Sequence, residues 1–432
     1  MEKVVIADTK DRALGDALHE IFTAFGGVQA LVPSGVRIYV KPNAVNFSAQ
    51  AYTDPAVLDA LLGYFHDHGY TRLAVMENVT GGNFSRLVFH IIGYTRICRK
   101  YGTEAIYLDE SPPVEVTLRD EEERTRIPKR LYDDFIANRE GHFYLDLPKL
   151  KTHCMSTVTL GVKNQQAFPI HADRMQRHNH RTLHRRLASI YDLIRPDFCI
   201  IEGLNAIYHG HVPIAAFLDQ CVAPMNILIG GRDTVAVDAV GARVLGYEVA
   251  EVEHLRICRE WCLGEGSLNR IEVLGVPLSH FTERYPHTIL GRFNPDVRIV
   301  EGTERACVEG CKGNSLCIQE LLYNDLQGKG GWTLVFGKGV DKGKLEDGPG
   351  AILVVGPCAV DDLRDWLVRR CPDRKLCFVD ACNDLRTNIM YQSRLMGVPP
   401  RRMTPIDPIA ASWLFLMAKL HRSTARVPPP LG

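Results

Sequence analysis

Apolar positions fall into short runs rich in β-branched residues, and these alternate with longer stretches whose apolar residues recur at helical spacing. EKVVIAD precedes DRALGDALHEIFTAFG, VRIYVKP precedes DPAVLDALLGYFHDHG, and RLAVMENV follows. This rhythm predicts strands and helices in turn around a largely parallel sheet. It resumes with SRLVFHIIGYTRICRKYG, EAIYLDE, HFYLDLPKL, HRTLHRRLASIYDLI, DFCIIEGL, NILIGG and DTVAVDAVGARVLG. One large α/β domain over residues 1–285 accounts for it. The next stretch, with prolines at 286 and 295, predicts a linker over 286–303. A smaller unit over 304–425 follows. It has a helix over 304–326, the strand WTLVFGKG, a glycine-rich loop, the strand AILVVGPC, the helix DDLRDWLVRR, the strand KLCFVDAC and a helix from Asn383. Past Pro405, IAASWLFLMAKL predicts an apolar helix docked on a core, and 426–432 predicts a disordered tail. The expected fold is a mostly parallel, twisted α/β sheet domain with a second, smaller, cysteine-rich α/β domain.

Composition adds bounds to this picture. A chain of 432 residues with 46% hydrophobic content is too long for one average core, which agrees with two units. Its 51 basic residues balance 51 acidic ones. That balance excludes a global nucleic-acid footprint and leaves local basic patches open. The start, MEKVVIADTKDRALGD, carries charge at once and lacks the apolar core of roughly 7 to 15 residues found in a secretory signal. Runs such as AILVVGPCAV and ASWLFLM are shorter than the ~20 residues a spanning helix needs. A cytoplasmic protein without membrane partners is expected.

Chemistry concentrates in residues 146–180, which hold three lysines, four histidines and two arginines. Pro148 lacks an N–H and reads as the end of a strand, after which the chain is expected to leave the sheet. Lys149, Lys151 and His153 would then stand at a strand's carboxyl end, the edge where open α/β sheets bind ligands. Lys163 follows ten residues after His153. The competing reading takes the charges from His171 to Arg186 as the solvated face of a helix. Lys41 and Asn43 follow the strand VRIYV in the same way, although a turn explains them equally well. Asp233 is explained by capping the helix TVAVDAVGARV, and Asp238 lies about one turn further in. Glu202, before Gly203, ends a strand. Gly81 to Asn83, after the strand RLAVMENV and before a helix, can seat an anion on the helix amino terminus.

Thirteen cysteines, an odd count, argue against a closed disulfide framework. Seven lie in the last third, at 307, 311, 317, 358, 371, 377 and 382. Cys358 and Cys382 each end an apolar strand and would converge on one edge of a parallel sheet. Cys311 and Cys317, or Cys307, can close over them. Such thiolates suit an iron–sulfur cluster or zinc. The alternative is that they are buried small hydrophobes, the reading preferred for Cys371 and Cys377.

Five blocks, VKPNAV at 40–45, LPKLKTH at 147–153, TLGVKN at 159–164, RPDFCIIEG at 195–203 and RDTVAVDAVGA at 232–242, together resemble the family called domain of unknown function 362. The resemblance implies an α/β fold. Many members carry a ferredoxin-like module with CxxCxxC runs, in whose place this chain has its terminal cysteines. A fainter similarity to nickel-dependent lactate racemases rests on His153, Gly161, Lys163, Pro169, Asn179 and His180. It implies a base at His153, a cofactor anchor at Lys163 and a metal ligand at His180. The chain departs from that pattern with Leu160 in place of a glycine and with a displaced proline.

The expectation assembled from these readings is an enzyme associated with an iron–sulfur cluster or another transition metal, zinc or nickel included. It would act on a small anionic substrate by redox or proton-transfer chemistry, with a redox partner. His153, Lys163 and Lys151 would be catalytic. Lys41, Asn43, Lys149, Asn164, Glu202, Asp233 and Asp238 would bind substrate. Cys311, Cys317, Cys358, Cys382 and His180 would hold metal. One alternative is a non-enzymatic protein that binds and delivers a metal or cluster. Another is a basic binder of nucleic acid or phosphoprotein using 171–186.

Overall fold

Period-two alternation divides the first strand between two cores. In β1 (Glu2–Asp8), Val5 and Ala7 pack on one side of the sheet while Val4 and Ile6 pack on the other. A strand buried on both faces needs helices above and below it, and the chain provides them. The computed structural model describes residues 1–119, 123–175 and 178–427. Beyond β1, the large sheet contains β2 (Arg37–Pro42), β3 (Leu73–Glu77) and β4 (Glu104–Tyr107). A separate hairpin pairs β5 (Pro113–Thr117) with β6 (Arg124–Pro128). The sheet resumes with β7 (His142–Leu147), β8 (Lys149–His153), β9 (Thr157–Thr159), β10 (Phe198–Ile207), β11 (Val222–Gly231) and β12 (Ile271–Gly275). Its order is β12-β1-β11-β10-β7-β2-β3-β4, with β8 beside β10 and β9 beside β8. Most pairings are parallel; β11 runs antiparallel to both β1 and β10, and β9 antiparallel to β8.

Local chemistry starts and stops the helices. Asp54 accepts the Ala56 N–H at 2.8 Å, and Pro55 supplies a preset first turn to the helix Pro55–Asp67. The single helix expected over 85–102 is two, Ser85–Ile91 and Tyr94–Lys100. They are separated where Gly93 takes φ 87°, a left-handed turn that glycine adopts without a Cβ clash.

The smaller sheet is wholly parallel and runs in chain order: β13 (Val297–Glu301), β14 (Trp332–Phe336), β15 (Ile352–Val355) and β16 (Leu376–Val379). β13 lies inside the stretch expected to be a linker. Prolines mark only the start of that stretch, and VRIVE then pairs along β14. The helix expected over 304–326 is Cys311–Asn324, because Glu304 and Arg305 instead bond backbone to backbone with Lys338.

The terminal helix Pro408–Leu420 docks as expected, but on the large unit. Leu414, Phe415 and Ala418 pack with Phe84 and Leu87. Of the residues expected to form a disordered tail, Arg426 and Val427 are placed. The Gly82 N–H donates to the Arg426 carbonyl at 2.9 Å, so the glycine pair at 81–82 holds chain, and Val427 is buried. Residues 428–432 lie outside the described residues. No helix among the described residues is long and apolar enough to cross a membrane.

Candidate functional site

Pro148 interrupts the sheet without ending it. β7 runs between β10 and β2, and the Pro148 carbonyl then accepts the Glu202 N–H at 2.8 Å. β8 continues along β10 with β9 on its other side. The expectation that the chain leaves the sheet here is therefore corrected. Alternation places Lys149, Lys151 and His153 on one face of β8, and all three are buried.

Several expected contacts are structural. Lys149 reaches both Glu202 carboxylate oxygens, at 2.7 and 2.9 Å, and both residues are fully buried. Glu202 also accepts the Asp54 N–H at 3.0 Å and the Leu204 N–H at 2.8 Å, so its acceptors are engaged. Lys41 is paired with Glu77 at 2.7 Å in the same interior. Asp238 accepts the Gly161 and Val162 N–H groups at 2.7 and 2.8 Å, fixing the turn that carries Lys163. Asp233 caps the helix Thr234–Val244 through Val235 and Ala236 and also accepts the Glu265 N–H. Lys41, Lys149, Glu202, Asp233 and Asp238 do not line the cavity described next, so their assignment to substrate is corrected to internal pairing and capping.

That cavity, of about 840 Å³, lies between the two units. Its wall from the large unit includes Asn43, Lys151, His153, Lys163 and Asn164; Cys317 comes from the smaller unit. Lys151 donates to Asn43 Oδ1 at 2.9 Å and to the Ala51 carbonyl at 2.8 Å. The Asn43 amide then donates to Asn164 Oδ1 at 2.9 Å, and Asn164 to Asp146 Oδ1 at 2.7 Å. This relay orients both asparagines. Burial raises the Asp146 carboxyl to about 7 against the opposing pull of Lys41. Burial, with Lys163 and Lys149 nearby, drives the Lys151 ammonium well below its ordinary range.

Lys163 lines the same cavity and is half-buried, whereas Lys41, Lys149 and Lys151 are fully buried. It makes no hydrogen bond or ion pair with the described residues, and burial together with Arg174 lowers it to about 8. Arg174 is buried and held by carbonyls alone, those of Val79, Ala167 and Pro169. Buried cations facing a cavity without a carboxylate partner are suited to an anion.

A second group stands at the cavity edge. His153, Cys154 and His211 bring their donor atoms within 4.8 Å of one another. The Cys154 and Cys317 sulfurs are 3.3 Å apart, and Cys154 Sγ lies 3.9 Å from His211 Nδ1. The bond to Cys317 is the main force drawing Cys154 down to about 5, with His211 helping and burial opposing; Cys317 is pushed up by the same bond. His153 stacks on His211 with ring centroids 4.1 Å apart and planes 9° apart. His153 Nδ1 accepts the Met155 N–H at 3.1 Å, so a neutral ring carries its proton on Nε2. Burial first, then His211, holds His153 well below its ordinary range, which keeps it neutral.

His180 does not reach the cavity. It is exposed, with Nδ1 3.0 Å from Cys307 Sγ, while His178 lines the cavity, where burial lowers it to about 3. The basic stretch is not a solvated face either, since His171, Arg174, His178, His184 and Arg186 are buried. Gln176 and Arg177 lie outside the described residues.

Strand ends gather the other cysteines. Cys307 and Cys311 follow β13, Cys358 opens the helix Pro357–Arg370 after β15, and Cys382 follows β16. The Cys311 sulfur accepts the Asn383 N–H at 3.4 Å, Arg305 reaches Cys358 Sγ at 3.3 Å, and Cys311 lowers its neighbour Cys382 to about 7. Gly356 has φ 91°, and a Cβ there would stand 2.5 Å from Cys311 Sγ, so glycine is required where β15 meets the thiols. Cys317 belongs with Cys154 instead. Of the expected ligands, Cys317 stands apart from Cys311, Cys358 and Cys382, while Cys307 lies on the same side of the smaller sheet as those three. Cys371 and Cys377 are buried in the apolar clusters of the smaller unit.

The sequence pattern does not single out His211, Arg174 and His178 as cavity residues, or Cys154 beside Cys317 at its edge. The one available signal was the i, i+2, i+4 series ending at His153, with Cys154 directly after it.

Fold and site together define a two-unit α/β protein with a His- and Cys-edged cavity between the units, its wall carrying Lys163 and Arg174. Residues 38–243 match the family model described as domain of unknown function (DUF362), which supports the resemblance seen in the sequence blocks. No curated protein matches the chain. A crystal structure of a protein from Thermotoga maritima is 12% identical, with 89% of this chain and 82% of that one covered, at a TM-score of 0.34. A likeness of that degree carries no argument about function.

Proposed function

We propose that the protein is an enzyme that binds a small anionic substrate in the cavity between its units and acts on it by redox or proton-transfer chemistry. The observation that carries this reading is Lys163, a cation at the wall of a cavity of about 840 Å³ with no carboxylate partner among the described residues. Lys163 holds the anion and polarises it. Asn43 and Asn164, oriented through Lys151, offer fixed polar groups beside it. His153, neutral and with its free nitrogen outside the Met155 bond, moves a proton. Preorganised groups of this kind in a water-poor site contribute several kcal/mol to a transition state.

Cys307, Cys311, Cys358 and Cys382 follow β13, β15 and β16 on one edge of the smaller sheet, and four thiols there suit an iron–sulfur cluster by their chemistry. A cluster there supplies one-electron transfer when bound. The second reading, a protein that delivers a metal or cluster, is favoured by one observation, the exposure of Cys382 at that edge.

Anaerobic purification followed by iron, sulfide and zinc analysis, with calorimetric titration of oxalate, tests the proposal. Bound metal that disappears on substituting Cys358 and Cys382, together with oxalate binding that depends on Lys163, is expected. A metal-free protein of full stability removes the cluster. Oxalate binding unaffected by Lys163→Met removes the anion site. Labile metal that transfers to a chelator, with no anion binding, favours delivery.

A further inference from the structure

We propose that Cys154 and Cys317 form a redox-active dithiol that reduces the disulfide of a small anionic compound held in the cavity between the units. The proposal rests on the cavity being the anion site. Cys154 follows β8 of the large unit, and Cys317 lies on the helix Cys311–Asn324 of the smaller one, 163 positions away. Their sulfurs are 3.3 Å apart, the separation of a shared proton between thiol and thiolate. A disulfide needs about 2.05 Å, so closure requires the two sulfurs to approach by about 1.3 Å.

Surrounding groups divide the roles. We assign the thiolate to Cys154, whose sulfur has His211 Nδ1 at 3.9 Å and the Cys317 sulfur at 3.3 Å. Lys163 is close enough for the two opposite charges to support each other. Cys317, whose thiol is held protonated by the same bond, is the resolving partner. A metal explains the cluster less well. The His153 and His211 rings are parallel to within 9°, so their in-plane lone pairs run side by side instead of converging, and His153 Nδ1 is already engaged by Met155.

The chemistry balances. The Cys154 thiolate attacks one sulfur of the bound disulfide, forming a mixed disulfide and expelling the first thiolate. Cys317 passes its proton to His211 and attacks Cys154 Sγ, expelling the second thiolate and closing the Cys154–Cys317 bond. The two leaving thiolates take up one proton from His211 and one from solvent, the one Cys154 had already released. One disulfide becomes two thiols, two protein thiols become one disulfide, and a thiol reductant resets the site.

The test uses the full-length, anaerobically reduced protein mixed with oxidised glutathione, which is anionic, or with cystamine, its cationic counterpart. Samples are quenched with iodoacetamide and mapped by peptide mass spectrometry. A Cys154–Cys317 disulfide is expected, formed about tenfold faster with oxidised glutathione than with cystamine. Cys317→Ser is expected to stop at glutathione on Cys154, Cys154→Ser to give neither product, and Lys163→Met to abolish the preference. Each serine variant changes one atom, and circular dichroism verifies its fold. Absence of the Cys154–Cys317 bond, equal rates with the two disulfides, or a chelatable metal covering both sulfurs would overturn the proposal. Oxalate titration of the same Cys317→Ser sample separates the two levels: retained oxalate binding without disulfide chemistry sinks the dithiol alone, whereas no oxalate binding by wild type sinks the reading beneath it.

Discussion

Two lysines fourteen residues apart, Lys149 and Lys163, show how differently the sheet interior and the cavity wall treat the same side chain. In the interior, Lys149 is fully buried and meets both oxygens of Glu202, which itself accepts two backbone N–H groups. At the wall, Lys163 meets no carboxylate among the described residues, and burial lowers it to about 8. A buried charge with its partner is part of the fold. A desolvated charge without one is a cost to the fold that a ligand can offset.

The sharpest way to break this contrast is to replace each lysine by methionine. Lys149→Met strands the Glu202 carboxylate, and breaking a buried pair costs roughly 3–5 kcal/mol, read as a lower midpoint in urea unfolding. Lys149→Met combined with Glu202→Leu should recover much of that loss, because a volume-matched apolar pair needs no desolvation of charge. Lys163→Met should leave stability unchanged or raise it by about 0.5–2 kcal/mol, since it removes a desolvated cation. Equal destabilisation by the two single substitutions would dissolve the distinction.

The next effect is on binding. A charge-assisted hydrogen bond contributes about 1.5–3 kcal/mol, so Lys163→Met should weaken oxalate by roughly 10- to 150-fold. The pH dependence follows from the lowered lysine. Lys163 is charged below about 8 and neutral above it, so oxalate affinity should fall as pH rises through that value. Its stability contribution has the opposite sense. The unfolded lysine keeps its proton to the ordinary value of 10.5, so the folding penalty of this group shrinks as pH rises from about 8 towards 10.5. Calorimetry at pH 6.5, 7.5 and 8.5 follows the first effect. The smallest expected change is Asp233→Ala, a lost helix cap costing about 1 kcal/mol and detectable by thermal unfolding.

How much of this was legible from the chain varies with the range of the contacts involved. The alternating strand and helix signals located both units, and the strand ends before Cys358 and Cys382 located their shared edge, because these are local patterns. β13 was hidden behind the prolines that precede it. Pro148 signals a strand end locally, although it only passes the chain from β7 to β8 along the same sheet. Lys41 and Lys149 stood in the right sequence blocks, but Glu77 and Glu202 are 36 and 53 positions away, and local spacing does not reveal a partner at that distance. The same holds for Cys154 with Cys317 and for His153 with His211. His178 and His180 differ by two positions, and only the packing of the smaller unit decides which one faces the cavity.

The central claim is that Lys163 is kept unpaired to hold an anion, and oxalate titration of wild type and Lys163→Met at pH 7 tests it most directly. The account predicts saturable binding by wild type and a loss of roughly 10- to 150-fold in a variant at least as stable. Equal affinity in the two proteins, or a loss of binding accompanied by the stability loss expected of Lys149→Met, would contradict it.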